Sequence, residues 1–169
     1  MVRLVDPDPS YADAYRAFID DFGAEKRVPF CLSYPHKDME LLVARLRDQA
    51  RGHGVRPGVV ANSTFWMMAG AEMIGASNLR HTLTDGLKTV GGHIGFGIRP
   101  SARGRGHGKR ILKLTLEKAR AMVIPRALIT CDKHNQASAG VIRANGGELA
   151  SESYLQDQGG VVQRYWIQL

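Results

Sequence analysis

Apolar residues recur along the chain with two different periods, and the switches between those periods mark out its elements. Tyr11, Ala14, Tyr15, Phe18, Ile19 and Phe22 fall at helical spacing, with Ser10 placed to cap the helix and Gly23 to end it. A second helix is predicted over about 35–50, where Met39, Leu42, Val43 and Leu46 share a face, and the Gly- and Pro-rich stretch 51–62 reads as a loop. Segments 64–69 and 73–80 are apolar runs around a short glycine turn, the pattern of a hairpin, and 82–90 is a polar connection. Over 91–99 (GGHIGFGIR) Ile94, Phe96 and Ile98 alternate with His93, Gly95 and Gly97, as in a half-buried strand. Its glycines leave one face bare, as in a strand with a ligand lying against it. Pro100 stops that strand. A helix over 108–122, a buried strand over 127–131, a helix over 136–144 and a hairpin of 148–155 with 161–168 complete the reading. Asn145-Gly146-Gly147 ends the last helix. The order predicts a single α/β domain, 1–169, around one mixed sheet.

Composition narrows the class. Hydrophobic and charged fractions of 44% and 23% are those of a globular domain rather than a disordered chain. Two distant cysteines, Cys31 and Cys131, form no disulfide framework and have no metal-ligand spacing, so reduced thiols and no metal are expected. The start of the chain lacks a signal pattern and no apolar run reaches membrane-span length, so the reading is cytoplasmic, with no membrane partner. The net charge of +7 favours an anionic partner: nucleic acid, a lipid surface or a polyphosphate cofactor. Arg99, Arg103, Arg105, Lys109, Arg110 and Lys113 form its densest run.

That run contains the segment richest in chemistry, Ile98 to Lys109 (IRPSARGRGHGK). A strand ends, Gly104, Gly106 and Gly108 alternate with polar residues, and an amphipathic helix begins. Main-chain N–H groups in a helix's first turn have no internal partner, and the macrodipole adds positive character there. Glycines admit an anion close to the backbone, so the segment suits a pyrophosphate. No Walker A Gly-Lys-Ser/Thr is present, and the Rossmann third glycine position holds Lys109. Arg-x-x-Gly-x-Gly fits, as Arg103, Gly106 and Gly108.

This strand–glycine turn–helix unit resembles the acetyl-CoA motif of the GNAT N-acetyltransferases. The likeness continues through the next strand to Asn135, Ser138 and Gly146. More narrowly, GGHIGFGIRPSARGRGHG, the NLRH at 78–81 and the closing RYWI resemble a bacterial subgroup of that family with no firm substrate. The resemblance implies a GNAT fold, a central mixed, mostly antiparallel twisted sheet flanked by helices. It implies acetyl-CoA as co-substrate and a small-molecule or peptide amine as acceptor, with a homodimer as a candidate assembly. By the same likeness, the Ile98 backbone pairs with the pantetheine. The amides of Arg103, Gly104, Arg105, Gly106, His107, Gly108 and Lys109 hold the pyrophosphate, and Asn135 and Ser138 lie by the cofactor. The family's frequent tyrosine acid, seven residues after Asn135, is replaced by Ile142.

Candidates for acid–base work follow from position. His93 shares a strand face with Gly95 and Gly97, so it is expected near the cleft, with a ring able to act as base near neutrality. His81 is the second candidate, and Asn78 and Arg80 on the preceding strand are candidates for the acceptor pocket. Two alternatives stand beside the enzyme: a non-catalytic acyl-CoA sensor, consistent with Ile142, and a nucleic-acid-binding module. The module accounts for the charge but not for glycines at a helix start, so no nucleic acid is expected.

Overall fold

The computed structural model describes residues 1–169. Seven strands and five helices follow in the order β1 (Val2–Val5), α1 (Ala12–Asp20), α2 (Met39–Ala50), β2 (Asn62–Ala69), β3 (Glu72–Arg80), α3 (Asp85–Thr89), β4 (Ile94–Ile98), α4 (His107–Ala121), β5 (Arg126–Asp132), α5 (Gln136–Ala144), β6 (Glu148–Leu155) and β7 (Gly160–Gln168). Sequence periodicity anticipated all of these but β1 and the short α3. Side-chain caps start α2, α3 and α5: Asp38 accepts from the Leu41 amide at 2.9 Å, which starts α2 later than 35. Ser10 does not cap α1. It lies in a single 3-10 turn capped by Asp8, whose carboxylate accepts from the Ser10 amide at 3.0 Å.

Two antiparallel sheets form in place of one mixed sheet: β1-β2-β3-β4, and β5-β7-β6. Alternation along β2 buries both faces. Trp66 and Met68 join Tyr15, Phe18, Leu42 and Val43 under α1 and α2. Phe65 packs in a core with Leu112 and Leu116 of α4, and Met67 in one with Ile111. A buried hydroxyl pair, Ser77 with Thr115 at 2.7 Å, ties β3 to α4.

No ladder joins β4 to β5. The sheets touch at one end, where the His93 amide donates to the Leu128 carbonyl at 2.7 Å and the Gly91 amide to Thr130 Oγ1 at 2.8 Å. Farther along, the facing edges of β4 and β5 stay unpaired and a wedge opens between the sheets. No helix is long and apolar enough to cross a membrane.

The glycine face of β4 is not bare. A Cβ at Gly97 would collide with Leu32, and one at Gly95 would press on Pro29 at 3.1 Å. These glycines therefore let the connection between α1 and α2 seat against the strand, and that connection becomes one wall of the wedge.

Candidate functional site

A cleft of about 700 Å³ runs along the edge of β4 to the start of α4. Ile98, Arg103, Gly104, Gly106, Gly108, Lys109, Asn135 and Ser138 all line it, so the end of β4, the glycine turn and the start of α5 converge on one cleft. The side chains of Arg105 and His107 do not line it. Gly106, at φ 79°, is the N-cap of α4, and Gly104 stands at φ 74°. Nothing lies within 4 Å of a Cβ built on either, so their exposed side is open to a ligand. The first backbone hydrogen bond of the helix runs from Arg110 N–H to the Gly106 carbonyl at 3.2 Å. The N–H groups of Gly104 through Lys109 therefore have no acceptor in the chain, a continuous donor row at the positive end of a 15-residue helix.

Arg103 departs from the expected pattern. Its amide donates to the Pro100 carbonyl at 3.2 Å, so the free row starts one residue later. Its side chain donates from Nε to the Ile98 carbonyl at 3.0 Å and from both terminal nitrogens to Glu25, at 3.0 and 2.6 Å. Those bonds hold the Glu25 carboxyl below its ordinary pKa. Arg103 is thus a strut joining the glycine turn to the wall built by the α1–α2 connection. Asp21 repeats that tie by accepting from the Ser101 amide at 2.9 Å.

The strut also occupies the Ile98 carbonyl. In β4 the hydrogen bonds from Arg80 to the His93 carbonyl and from Arg99 to the Ile74 carbonyl fix the alternation. Gly95 and Gly97 then pair with β3, and the main chain of Ile94, Phe96 and Ile98 faces the wedge. Phe96, which was not singled out from sequence, offers both N–H and C=O toward the cleft. The same alternation that marked Ile98 marks Phe96, two residues earlier.

Asn135 caps α5, its Oδ1 accepting from the Ser138 amide at 3.0 Å. Both residues also line a second cavity of about 320 Å³ between the first half of β4 and the end of β5, and Val28 and Phe96 are likewise common to the two. Arg80 and Asp132 are the charged groups of this second cavity. Cys131 lines it too; burial, the main influence on its thiol, pushes the pKa up, which suits a neutral packed group.

Both histidines lie elsewhere. His93 is 7% exposed, and its Nδ1 accepts from the Leu128 amide at 2.9 Å. Burial, aided by the nearby Arg80 charge, pushes its pKa down to about 4. His81 Nε2 meets Ser63 Oγ at 2.9 Å, and burial lowers its pKa. The two rings line a small cleft beside Trp166, not the wedge. The strand begins at Ile94, after positive-φ turns at Gly91 and Gly92, so the period-2 argument does not extend to His93. Asn78 is fully buried, donating to Asn62 at 2.7 Å and Thr64 at 3.1 Å, and lines neither cavity. Ile142 is fully buried, so its position offers the wedge no acid.

A family model described as "Acetyltransferase (GNAT) domain" matches residues 2–148. No curated protein sequence matches significantly. Among solved structures, RimL, a ribosomal L7/L12 alpha-N-protein acetyltransferase in complex with coenzyme A, superposes with a TM-score of 0.70 at 20% identity, over 99% of this chain and 94% of that one. MccE, a microcin C7 self-immunity acetyltransferase bound to acetyl-CoA and AMP, gives 0.71 at 13% identity, over 99% and 92%. A GNAT-family acetyltransferase from Streptococcus pneumoniae gives 0.69 at 14% identity, over 100% and 99%. With that model matched across most of its length and that fold in place, the chain belongs to the GNAT acetyltransferase family.

Proposed function

We propose that this protein transfers the acetyl group of acetyl-CoA to an amine held in the second cavity. One observation carries the reading: the unpartnered N–H groups of Gly104 through Lys109 at one end of a cleft whose other end opens, past Phe96, Asn135 and Ser138, into a second cavity. The donor row suits a diphosphate, and the free edge of β4 suits an extended amide-bearing arm laid on as an added strand. RimL and MccE, of the same fold, were solved with coenzyme A and acetyl-CoA, and RimL acts on a protein α-amino group, which supports both substrates.

Within this site the chain's own groups orient and polarise. An outward N–H of β4, at Phe96 or Ile98, is placed to bond the thioester oxygen and favour the charge that develops there. The acceptor arrives as an ammonium and gives a proton to water. Its nitrogen then attacks the carbonyl carbon, the C–N bond forms, the C–S bond breaks with its electron pair left on sulfur, and the nitrogen gives its second proton to water. The start of α5, which lines both cavities with Ser138, would present its positive end to the leaving sulfur, and a proton from water completes the free thiol. His93 and His81 take no part in this scheme. His93 is a positioning residue that holds the two sheets together at the closed end of the wedge.

Ile142 favours one rival, a sensor that binds the thioester without turnover. Calorimetry with CoA and acetyl-CoA, followed by thiol release over a panel of amines, separates the two. Uptake with thiol release supports the transferase; uptake with no release for any amine leaves the sensor; no uptake removes both.

A further inference from the structure

Arg80 ends β3 with its guanidinium in the second cavity, and its surroundings are those of a cation short of a partner. Nη1 donates to the carbonyls of Gly91 and Gly92, each at 3.0 Å, and the group lies 5.3 Å from the centre of the Phe30 ring. Nη2 and Nε, which form one edge of the guanidinium, donate to nothing in the chain. Arg99 and Arg103 are both matched, Arg99 with Glu72 at 2.9 Å and Arg103 with Glu25. No carboxylate lies within salt-bridge range of Arg80. Its neighbours do not supply a counter-charge: burial pushes the Cys31 thiol up to about 12 and raises the Tyr34 phenol as well, so both stay neutral. A cation withdrawn from water without a counter-charge is costly unless an anion arrives.

The cavity itself says where that anion belongs. Its volume, about 320 Å³, suits a small molecule. Arg80 and Asp132 are its charged lining groups, of opposite sign. Asp132 commits Oδ1 to the His134 amide at 2.7 Å and leaves Oδ2 uncommitted. Arg80 and Asp132 both line only the second cavity, but the Asn135 amide donates to the Asp132 carbonyl at 2.9 Å, which sets Asp132 next to the junction with the cofactor cleft. We propose that the acceptor is a small amine that also carries a carboxylate, an amino acid or close relative, with the carboxylate bridged by Arg80 Nε and Nη2 and the amine on the Asp132 side. This rests on the acetyl-transfer reading. The paired donors match the two oxygens of a carboxylate and discriminate against the neutral carboxamide.

The test uses matched acceptors: L-alanine, L-leucine and L-glutamate beside their α-carboxamides, with acetyl-CoA, followed by thiol release. The wild-type protein is expected to favour the acids in kcat/KM by about 10- to 100-fold, the worth of hydrogen bonds to a charged group, mostly through KM. R80Q, and R80K with charge but no fork, should bring the ratio toward one while acetyl-CoA affinity holds; losing the bonds to Gly91 and Gly92 lowers the melting temperature, but the ratio compares substrates within one variant. Carboxamides used as well as acids, or a preference that survives in R80Q, overturn the inference and leave acetyl transfer standing. Calorimetry of the same acids on CoA-loaded protein reads the Arg80 contact without turnover. Binding that R80Q abolishes, with no thiol release, overturns the transferase and the acceptor role together and leaves Arg80 a carboxylate site; no binding and no preference removes the inference.

Discussion

His93 shows how the wedge is held, and its replacement tests that role against a catalytic one. H93A removes the acceptor of the Leu128 amide, now at 2.9 Å, from a site that is 7% exposed. An unpaired buried amide costs about 1–3 kcal/mol, and the lost burial of the ring about 1 more. In a chain of this length each kcal/mol moves the melting temperature by about 2–4 °C, so H93A is expected to melt roughly 5–15 °C below wild type. H93N, which offers a carbonyl oxygen near the same point, should recover part of that. The pH dependence has a definite sign. With a folded pKa pushed down to about 4, the unfolded chain binds a proton between the ordinary histidine value and that figure while the folded chain does not. Stability from this group is therefore full at neutral pH and falls as the pH drops through the window. The shift corresponds to about 3 kcal/mol at full burial, and the open cleft beside the ring reduces it to about half. The gap between wild type and H93A should narrow from pH 7 to pH 4.5. Thermal melts at both pH values, beside turnover at pH 7, decide the matter. A variant that melts within about 2 °C of wild type yet loses most of its turnover would show that His93 works on the reaction rather than tying the sheets.

Other expectations follow from neighbouring geometry. G106E and G108E should each weaken coenzyme A binding by at least about 100-fold in calorimetry, since a side chain and a negative charge enter the donor row, with the circular dichroism unchanged; undiminished affinity would move the phosphate site elsewhere. G97V should cost about 1–3 kcal/mol and weaken the cofactor, because the branched side chain meets Leu32 and displaces the wall of the cleft; an unchanged melt would mean that the wall yields freely. E25Q and R103A should weaken coenzyme A by similar, modest factors, because either one releases the same strut; an effect confined to R103A would point to direct phosphate contact. Cys31, buried with its thiol at about 12, should resist iodoacetamide at pH 8 until the protein is unfolded, as read by mass spectrometry of the peptides.

Short-range pattern determined most of the fold. The apolar stripes of α1, α2 and α4, the two hairpins and the limits of α5 are set by periodicity and by cap and glycine signals within a few residues. The glycine turn was legible for the same reason: free amides at the start of a helix are a local property, and Gly104 through Lys109 present them as the spacing implied. β1 escaped because four residues, VRLV, carry too little pattern, and α3 because DGLKT has a single apolar residue and buries nothing. What only the tertiary structure decided are contacts between distant segments. Alternation shows that Gly95 and Gly97 share a face, yet not that Pro29 and Leu32 cover it. His93 is a competent base in any sequence, and becomes a tie only where Leu128, 35 residues on, places an N–H against its ring. Arg103 has phosphate-binding chemistry until Glu25 arrives from 78 residues away, and Arg80 is one cation among many until the fold buries it beside a cavity and withholds a carboxylate. Local periodicity records which residues are buried, whereas the partner each polar group meets depends on how the elements pack.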